Sequence, residues 1–222
     1  MDERAWSAVD SYVTDLLVPQ DEALVAALEA SREAGLPAIQ VSPPQGRLLY
    51  LLAKLVGASS ILEFGTLGGY STIWLARAMP DGGGRVITLE ADPDHAAVAR
   101  ENLDRAGLAA AVDLRVGPAL DLLPDLEAEG AGPFDLTFID ADKVHSPEYF
   151  AWALDRSRRG SLIVSDNVVR DGGLLDPDHE DPAVRAQRTL HEMIAAEPRV
   201  EATTIQTVGV KGYDGFNVAL VG

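Results

Sequence analysis

The chain contains no cysteine among its 222 residues. This absence excludes disulfide bonds, zinc sites built on thiolates and a cysteine nucleophile.

Basic residues are also scarce. Eighteen Lys and Arg residues stand against 35 Asp and Glu residues, so the formal net charge is −17 at pH 7. A chain with this charge repels the phosphate backbone of nucleic acids. Nucleic acid is therefore an unfavourable partner, although the net charge does not exclude a local basic patch.

Long apolar runs are absent as well. No run approaches the roughly 18 residues that a membrane-spanning helix needs. The chain begins Met-Asp-Glu-Arg-Ala-Trp, which lacks the basic and then apolar segments of a signal peptide. We therefore expect a soluble, cytoplasmic protein with no membrane partner.

The residues that are present predict one α/β domain over residues 1–222. Hydrophobic residues make up 47% of the chain, enough for a full core. Apolar strand patterns alternate with helical patterns, which predicts a mostly parallel sheet with helices on both faces. The predicted strands are 61–64, 85–90, 112–116, 134–139 and 161–165, and the helices between and after them are 71–78, 92–106, 119–129, 149–158 and 182–196. Two final strands, 200–208 and 216–221, have no helix between them and predict an antiparallel hairpin with a turn at 211–215.

Residues 1–40 form a predicted N-terminal helical segment. Apolar residues recur at helical spacing over 2–33, with a break at Pro19. A loop at 39–41 and a helix opened by Ser42 and Pro43 follow. The segment could cover a sheet edge, pack against a partner chain or close over a substrate, and the sequence does not choose among these.

A glycine-rich turn follows the first predicted strand, with the spacing Gly65-x-x-Gly68-Gly69. Glycine permits tight turns and lets backbone N–H groups approach a ligand closely. The spacing is neither the Gly-x-Gly-x-x-Gly of dinucleotide sites nor a P-loop. The turn alone is compatible with a ligand cradle or with an ordinary connection.

Acidic residues lie at the ends of three predicted strands. In doubly wound sheets, ligands bind beyond the carboxyl ends of the strands. Glu90 ends the second strand, where an acid often accepts hydrogen bonds from ribose hydroxyls. Asp140 follows the fourth strand, and Asp166 and Asn167 follow the fifth. If those strands are neighbours, the three side chains form a set of oxygen ligands suited to Mg²⁺. The alternative is that these carboxylates are solvated or cap turns and helices, and bind no ligand.

Several motifs together resemble a known enzyme family. They are Leu-Glu-Phe-Gly-Thr-Leu-Gly-Gly-Tyr-Ser-Thr at 62–72, Gly-Pro-Ala-Leu at 117–120, Phe-Ile-Asp-Ala-Asp-Lys at 138–143 and Asp-Asn at 166–167. From about residue 42 to the C-terminus the chain resembles the cation-dependent O-methyltransferases that use S-adenosylmethionine, the caffeoyl-CoA and catechol O-methyltransferase group. The resemblance implies a class I methyltransferase fold, Rossmann-like, with a seven-stranded sheet and one antiparallel strand.

The resemblance also implies roles for individual residues. Residues implied to lie at the cofactor are Val41, Glu63, Gly65, Thr66, Ser71, Glu90, Pro118, Ala119 and Asp140. Among them, Glu63 would bind the methionine amino group and Glu90 the ribose. A divalent cation, Mg²⁺, would be held by Asp140, Asp166 and Asn167, with Lys143 as the general base and Asp140 beside it in the catalytic set. The implied reaction methylates one hydroxyl of a small phenolic vicinal diol of the catechol type, and homodimers are common in the family.

The chain departs from the family pattern at two places. Val41 stands where plant members tend to carry threonine near the metal. Val144-His145-Ser146-Pro147 replaces the plant Asp-Asn-Tyr pattern, so substrate contacts from that loop do not carry over. We expect His145 at a helix start rather than on the substrate. The segment 170–182 is long for its place, which favours a lid, although its acids could equally be solvated.

Three other functions compete with this hypothesis. A nucleotide-linked oxidoreductase could use a similar sheet, but the dinucleotide glycine motif is missing. A non-catalytic binding protein would not need a lysine beside a metal site. Methylation of an RNA hydroxyl by a related branch is disfavoured by the net charge of −17.

Overall fold

The computed structural model describes residues 3–80 and 83–222. The strands are β1 Ser60–Phe64, β2 Arg85–Glu90, β3 Val112–Val116, β4 Phe134–Ile139, β5 Ser157–Asp166, β6 Val200–Gly209 and β7 Gly212–Val221. The helices are α1 Glu3–Leu17, α2 Glu22–Glu33, α3 Pro43–Leu55, α4 Tyr70–Arg77, α5 Pro93–Arg105, α6 Ala119–Ala128, α7 Ser146–Asp155 and α8 Pro182–Ala196. Short 3₁₀ helices lie at Ala109–Ala111 and Arg170–Leu175.

The strands form one seven-stranded sheet in the order β3-β2-β1-β4-β5-β7-β6. Strands β1 to β5 pair in parallel, and β7 runs antiparallel to both of its neighbours, β5 and β6. The predicted α/β fold with one reversed strand is confirmed. Because β4 and β5 are neighbours, the residues that follow them lie at the same edge of the sheet.

Two apolar layers cover the two faces of the sheet. Neighbouring residues on β1 point to opposite faces, so Ile61 packs in the layer with α3 and α4, and Leu62 packs in the layer with α6, α7 and α8. Both residues are fully buried. Helices therefore cover both faces of the sheet, and a ligand can reach the sheet along its edges. Among the described residues, no helix is both long and apolar enough to cross a bilayer.

Local capping residues set the starts of several helices. Ser42 accepts a hydrogen bond from the Gln45 N–H at 3.4 Å, with Pro43 in the first turn of α3, as predicted. Asp92 caps α5 by accepting from the N–H groups of Asp94 and His95. These caps hold the ends of the helices that flank the carboxyl edge of the sheet.

Several predicted boundaries were wrong, and one predicted start lies outside the described residues. The helix predicted at 149–158 is α7, which begins earlier at Ser146, and residues 157–158 already belong to β5, where Ser157 pairs with Phe134. The turn predicted at 211–215 is shorter, because Gly212 adopts a φ of +87° and β7 begins there. Part of the segment 170–182 is 3₁₀-helical. The predicted helix start at residue 2 is outside the described chain.

A buried carboxylate ties the first strand to its neighbours. Glu63 on β1 has no exposed surface, and its oxygens accept hydrogen bonds from the hydroxyls of Ser71 at 2.6 Å, Thr72 at 2.5 Å and Thr88 at 2.7 Å. Ser71 and Thr72 lie in α4, and Thr88 lies in β2. The three bonds therefore join β1, β2 and α4 at the glycine-rich turn. Burial raises the pKa of Glu63 to about 7, although the three hydroxyls lower it.

This raised pKa makes the stability of the protein depend on pH. The native state holds the Glu63 proton more tightly than the unfolded chain, so the contribution of Glu63 to stability is complete below about pH 4.5 and is lost as pH rises to about 7. A neutral Glu63→Gln variant lacks this loss. We expect the free energy of unfolding of Glu63→Gln, relative to the wild type, to rise by up to roughly 3 kcal/mol between pH 4.5 and 7.5.

Urea unfolding of both proteins across that range, without cofactor or metal, measures the difference. Other titrating groups are common to the two proteins, so only the change in the difference with pH is diagnostic. A difference that stays constant with pH would show that Glu63 has an ordinary pKa.

Candidate active site

The turn after β1 is held by the carboxylate at the end of β2. Glu90 Oε2 accepts the N–H groups of Thr66 at 3.1 Å and Leu67 at 2.7 Å, and its Oε1 accepts the N–H of Asp92 at 3.0 Å. Leu67 has a left-handed φ of +50°. One carboxylate therefore organises both the turn after β1 and the start of α5.

Glycine is required at position 65 by the packing of two turns. Gly65 has a φ of +91°, and a Cβ there would lie 2.4 Å from the carbonyl oxygen of Asp140. The Asp140 N–H in turn donates to the carbonyl of Phe64 at 2.9 Å. The turn after β1 and the loop after β4 are therefore in direct contact.

A first cavity of about 630 Å³ lies at the carboxyl edge beside these turns. It is lined by most of the residues that the sequence assigns to the site. These are Val41, Gly65, Thr66, Ser71, Glu90, Pro118, Ala119, Asp140, Lys143 and Asn167. Glu63 and Asp166 are not among its lining residues. Glu63 lies behind Ser71, to which it is hydrogen-bonded.

A second cavity of about 540 Å³ adjoins the first. Its walls are the loop before α3, the segment after β5 and the tip of the β6–β7 hairpin. Asp166 lines this cavity, and Val41, Asn167 and Arg170 line both cavities. Two ligands bound in the two cavities would therefore meet at this shared boundary.

A lysine and two aspartates lie where the two cavities meet. Lys143 Nζ is 2.6 Å from Asp140 Oδ1, and the two side chains are 14% and 18% exposed. Asp166 is buried, and burial together with the negative charge of Asp140 raises its pKa to about 7. Asn167 follows with a left-handed φ of +56°, uncommon for a residue with a side chain. The structure therefore brings the predicted metal ligands and Lys143 together.

Within residues 3–80 and 83–222, no group of three or more His, Cys, Asp or Glu side chains is arranged to hold a metal ion. The predicted set differs in kind, since it consists of two carboxylates and one amide. Its chemistry is that of hard oxygen ligands.

Sequence reasoning missed several residues of the site. His145 lies at the start of α7, as expected, but it also lines the first cavity, and its Nδ1 is 2.6 Å from Asp142 Oδ1. Asp142 accepts a hydrogen bond from the Tyr149 hydroxyl at 2.5 Å as well. Gln45 bonds the buried Asp166. The acid in Asp-Ala-Asp-Lys was a usable signal for Asp142, whereas nothing in the helical pattern around Gln45 indicated its contact.

The segment 170–182 is tied to the body of the protein at its start. Asp214 Oδ1 accepts the N–H groups of Val169 and Arg170, both at 2.9 Å, and Arg188 donates to the carbonyl of Leu174 at 2.6 Å. Arg170 and Asp171 both have left-handed backbone angles. The lid stays a prediction.

Comparison with known proteins identifies the family. A family model described as O-methyltransferase matches residues 17–217. The catechol O-methyltransferase of Niastella koreensis is 56% identical over 221 residues, which cover all of both chains.

Solved structures support the same family. The O-methyltransferase from Bacillus cereus, in complex with S-adenosylhomocysteine, is 54% identical with a TM-score of 0.97 over 100% of both chains. An O-methyltransferase from Streptomyces achromogenes involved in tomaymycin synthesis, in complex with S-adenosylmethionine, is 53% identical with a TM-score of 0.96 over 100% of this chain and 99% of its own. The predicted family and class I fold are confirmed, and this chain belongs to the S-adenosylmethionine-dependent O-methyltransferase family.

Proposed function

We propose that this enzyme methylates one hydroxyl of a catechol-type vicinal diol, with the cofactor in the first cavity and the acceptor in the second. The observation that carries the proposal is the Lys143–Asp140 pair, which lies beside Asp166 and Asn167 where the two cavities meet. A base and a set of oxygen ligands at that boundary suit a phenol that must lose a proton. The name of the Niastella koreensis relative supports a catechol acceptor.

The cofactor residues follow from the lining of the first cavity. Glu90 already accepts three backbone N–H groups, so one lone-pair position on Oε1 is left for a ribose hydroxyl. Glu63 has both oxygens engaged by hydroxyls and acts through Ser71, which lines the cavity. Direct contact with the methionine group then belongs to Ser71 and to other lining residues such as Asp140.

The residues at the boundary fit a divalent cation. Asp140 and Asp166 are close enough that the charge of one raises the pKa of the other, and Lys143 is paired with Asp140 rather than Asp166. A cation would relieve this repulsion. Asp140, Asp166 and Asn167 would hold Mg²⁺, which when bound supplies Lewis acidity to the diol oxygens.

The chain's own residues then carry the chemistry. Lys143 accepts the phenolic proton while Asp140, 2.6 Å away, holds its amine in place. The phenol oxygen attacks the methyl carbon, the new C–O bond forms, and the C–S bond breaks to leave S-adenosylhomocysteine. The protonated Lys143 is stabilised by Asp140 until the products leave.

The metal requirement is tested with 3,4-dihydroxybenzoate as acceptor and 4-hydroxybenzoate as the matched compound with one hydroxyl. We expect turnover of the diol only, complete loss in excess EDTA and recovery with excess Mg²⁺. Calorimetric titration of S-adenosylhomocysteine should show cofactor binding within a few-fold in EDTA, since Asp140 is the one proposed cofactor residue that is also a proposed metal ligand. Full turnover of the diol in excess EDTA would remove the metal from the mechanism.

The base is tested by Lys143→Ala. Loss of a general base should lower kcat by roughly 10²–10⁴-fold, while calorimetry shows near-normal cofactor affinity. Lys54→Ala, at an exposed position near the end of α3, is the matched control and should keep wild-type kcat. Wild-type kcat in Lys143→Ala would show that Lys143 is not the general base.

We also propose a homodimer, in which the N-terminal helix α1 packs against a second copy. None of the residues of α1 is buried, and its apolar side chains Val9, Tyr12, Leu16 and Leu17 are each at least 59% exposed. Contiguous apolar surface of this kind marks interaction sites. Light scattering should give twice the chain mass of 23.6 kDa at micromolar concentration, and a mass of one chain would contradict the proposal.

A further inference from the structure

A fully buried glutamine contacts the backbone of Lys143. Gln187 lies in the middle of α8 and has no exposed surface. Its Nε2 donates to the carbonyl oxygen of Lys143 at 3.0 Å and to Ser146 Oγ at 3.0 Å. Both N–H bonds of the amide are thereby used. The amide therefore joins the loop after β4 to α8. Helix α8 itself lines neither cavity.

The loop that carries Lys143 is short and otherwise held near its ends. At its start, the Asp140 N–H bonds the carbonyl of Phe64 at 2.9 Å. Further along, the Asp142 side chain accepts from the N–H of His145 and from the hydroxyl of Tyr149. Gln187 bonds the peptide of Lys143 itself, between these points.

Helix α8 is in turn fixed to the sheet at the same level. His191, one turn after Gln187, has Nδ1 2.7 Å from the Gln187 carbonyl and Nε2 2.9 Å from Thr204 Oγ1. Asn217 Nδ2 donates to the same Thr204 hydroxyl at 3.1 Å. His191 therefore bridges the backbone of α8 and a side chain of β6. This link to β6 is made by His191 and does not use the side-chain amide of Gln187.

We propose that Gln187 is a positioning residue for Lys143: by holding the Lys143 carbonyl it fixes the backbone from which the amine reaches Asp140. This inference rests on the proposed role of Lys143 as base. Without the amide, the carbonyl of Lys143 loses its buried partner and the loop shifts. A displacement of about 1 Å in a catalytic group can cost about 100-fold in rate.

A double-mutant cycle tests whether Gln187 acts through Lys143. The four proteins are the wild type, Gln187→Met, Lys143→Ala and the double variant, each assayed for kcat with S-adenosylmethionine, Mg²⁺ and 3,4-dihydroxybenzoate. We expect Gln187→Met to lower kcat at least tenfold in the wild type and by less than twofold in Lys143→Ala, since a positioning residue has no effect once its target is gone.

The outcomes separate the two proposals. An equal loss from Gln187→Met in both backgrounds, or no loss in the wild type, overturns the role of Gln187 alone. Wild-type kcat in Lys143→Ala overturns the base and the role of Gln187 with it. If Gln187→Met does not fold, Gln187→Leu takes its place, because it also lacks both N–H donors.

A second measurement follows the lysine amine without turnover. Brief acetylation with an amine-reactive ester, read by mass spectrometry, gives the labelling rate of Lys143 relative to exposed Lys54 in the same molecule. We expect this ratio to rise several-fold in Gln187→Met and to stay at the wild-type value in Thr204→Val, which loosens α8 from β6 but keeps the bond to Lys143. A ratio unchanged in Gln187→Met, or raised equally in Thr204→Val, would overturn the inference.

Discussion

The site depends on the contact between the turn after β1 and the loop after β4. A Cβ at position 65 would lie 2.4 Å from the carbonyl oxygen of Asp140, so only glycine lets the two segments meet. That contact places the turn after β1 directly beside the loop that carries Asp140 and Lys143. A methyl group can pass between two ligands only if their reacting atoms are held close and in line. The fold meets this requirement with backbone packing, before any side chain takes part.

The sequence predicted most of this arrangement because its signals are local. Strands β2, β3 and β4 begin and end where predicted, since each is an apolar run bounded by turn residues. The acids at the ends of β2, β4 and β5 were located for the same reason. Their convergence followed once β4 and β5 were neighbours, which the alternating pattern favoured but did not establish.

The features that the sequence did not predict share a cause, because each depends on residues that are distant in the chain. The early start of β5 depends on the pairing of Ser157 with Phe134 across the sheet. The contact of Gln187 with Lys143 joins residues 44 positions apart, and a buried glutamine in a helix has no sequence signature. The three hydroxyl partners of Glu63 come from α4 and β2, and the strand pattern around Glu63 did not indicate them.

Two buried carboxylates, Glu63 and Asp166, both have raised pKa values, but their hydrogen-bond partners differ. Burial raises the pKa of both Glu63 and Asp166 to about 7. Glu63 has three hydroxyl donors around its two oxygens, all of them from α4 and β2. Asp166 has the N–H of Asn167 and the side chain of Gln45, and it faces the second carboxylate, Asp140, at the edge of a cavity. A buried acid is costly unless its charge is compensated. The two acids therefore differ in their surroundings: Glu63 is held by hydroxyls inside the fold, whereas Asp166 lies at the edge of a cavity beside a second carboxylate and the amine of Lys143.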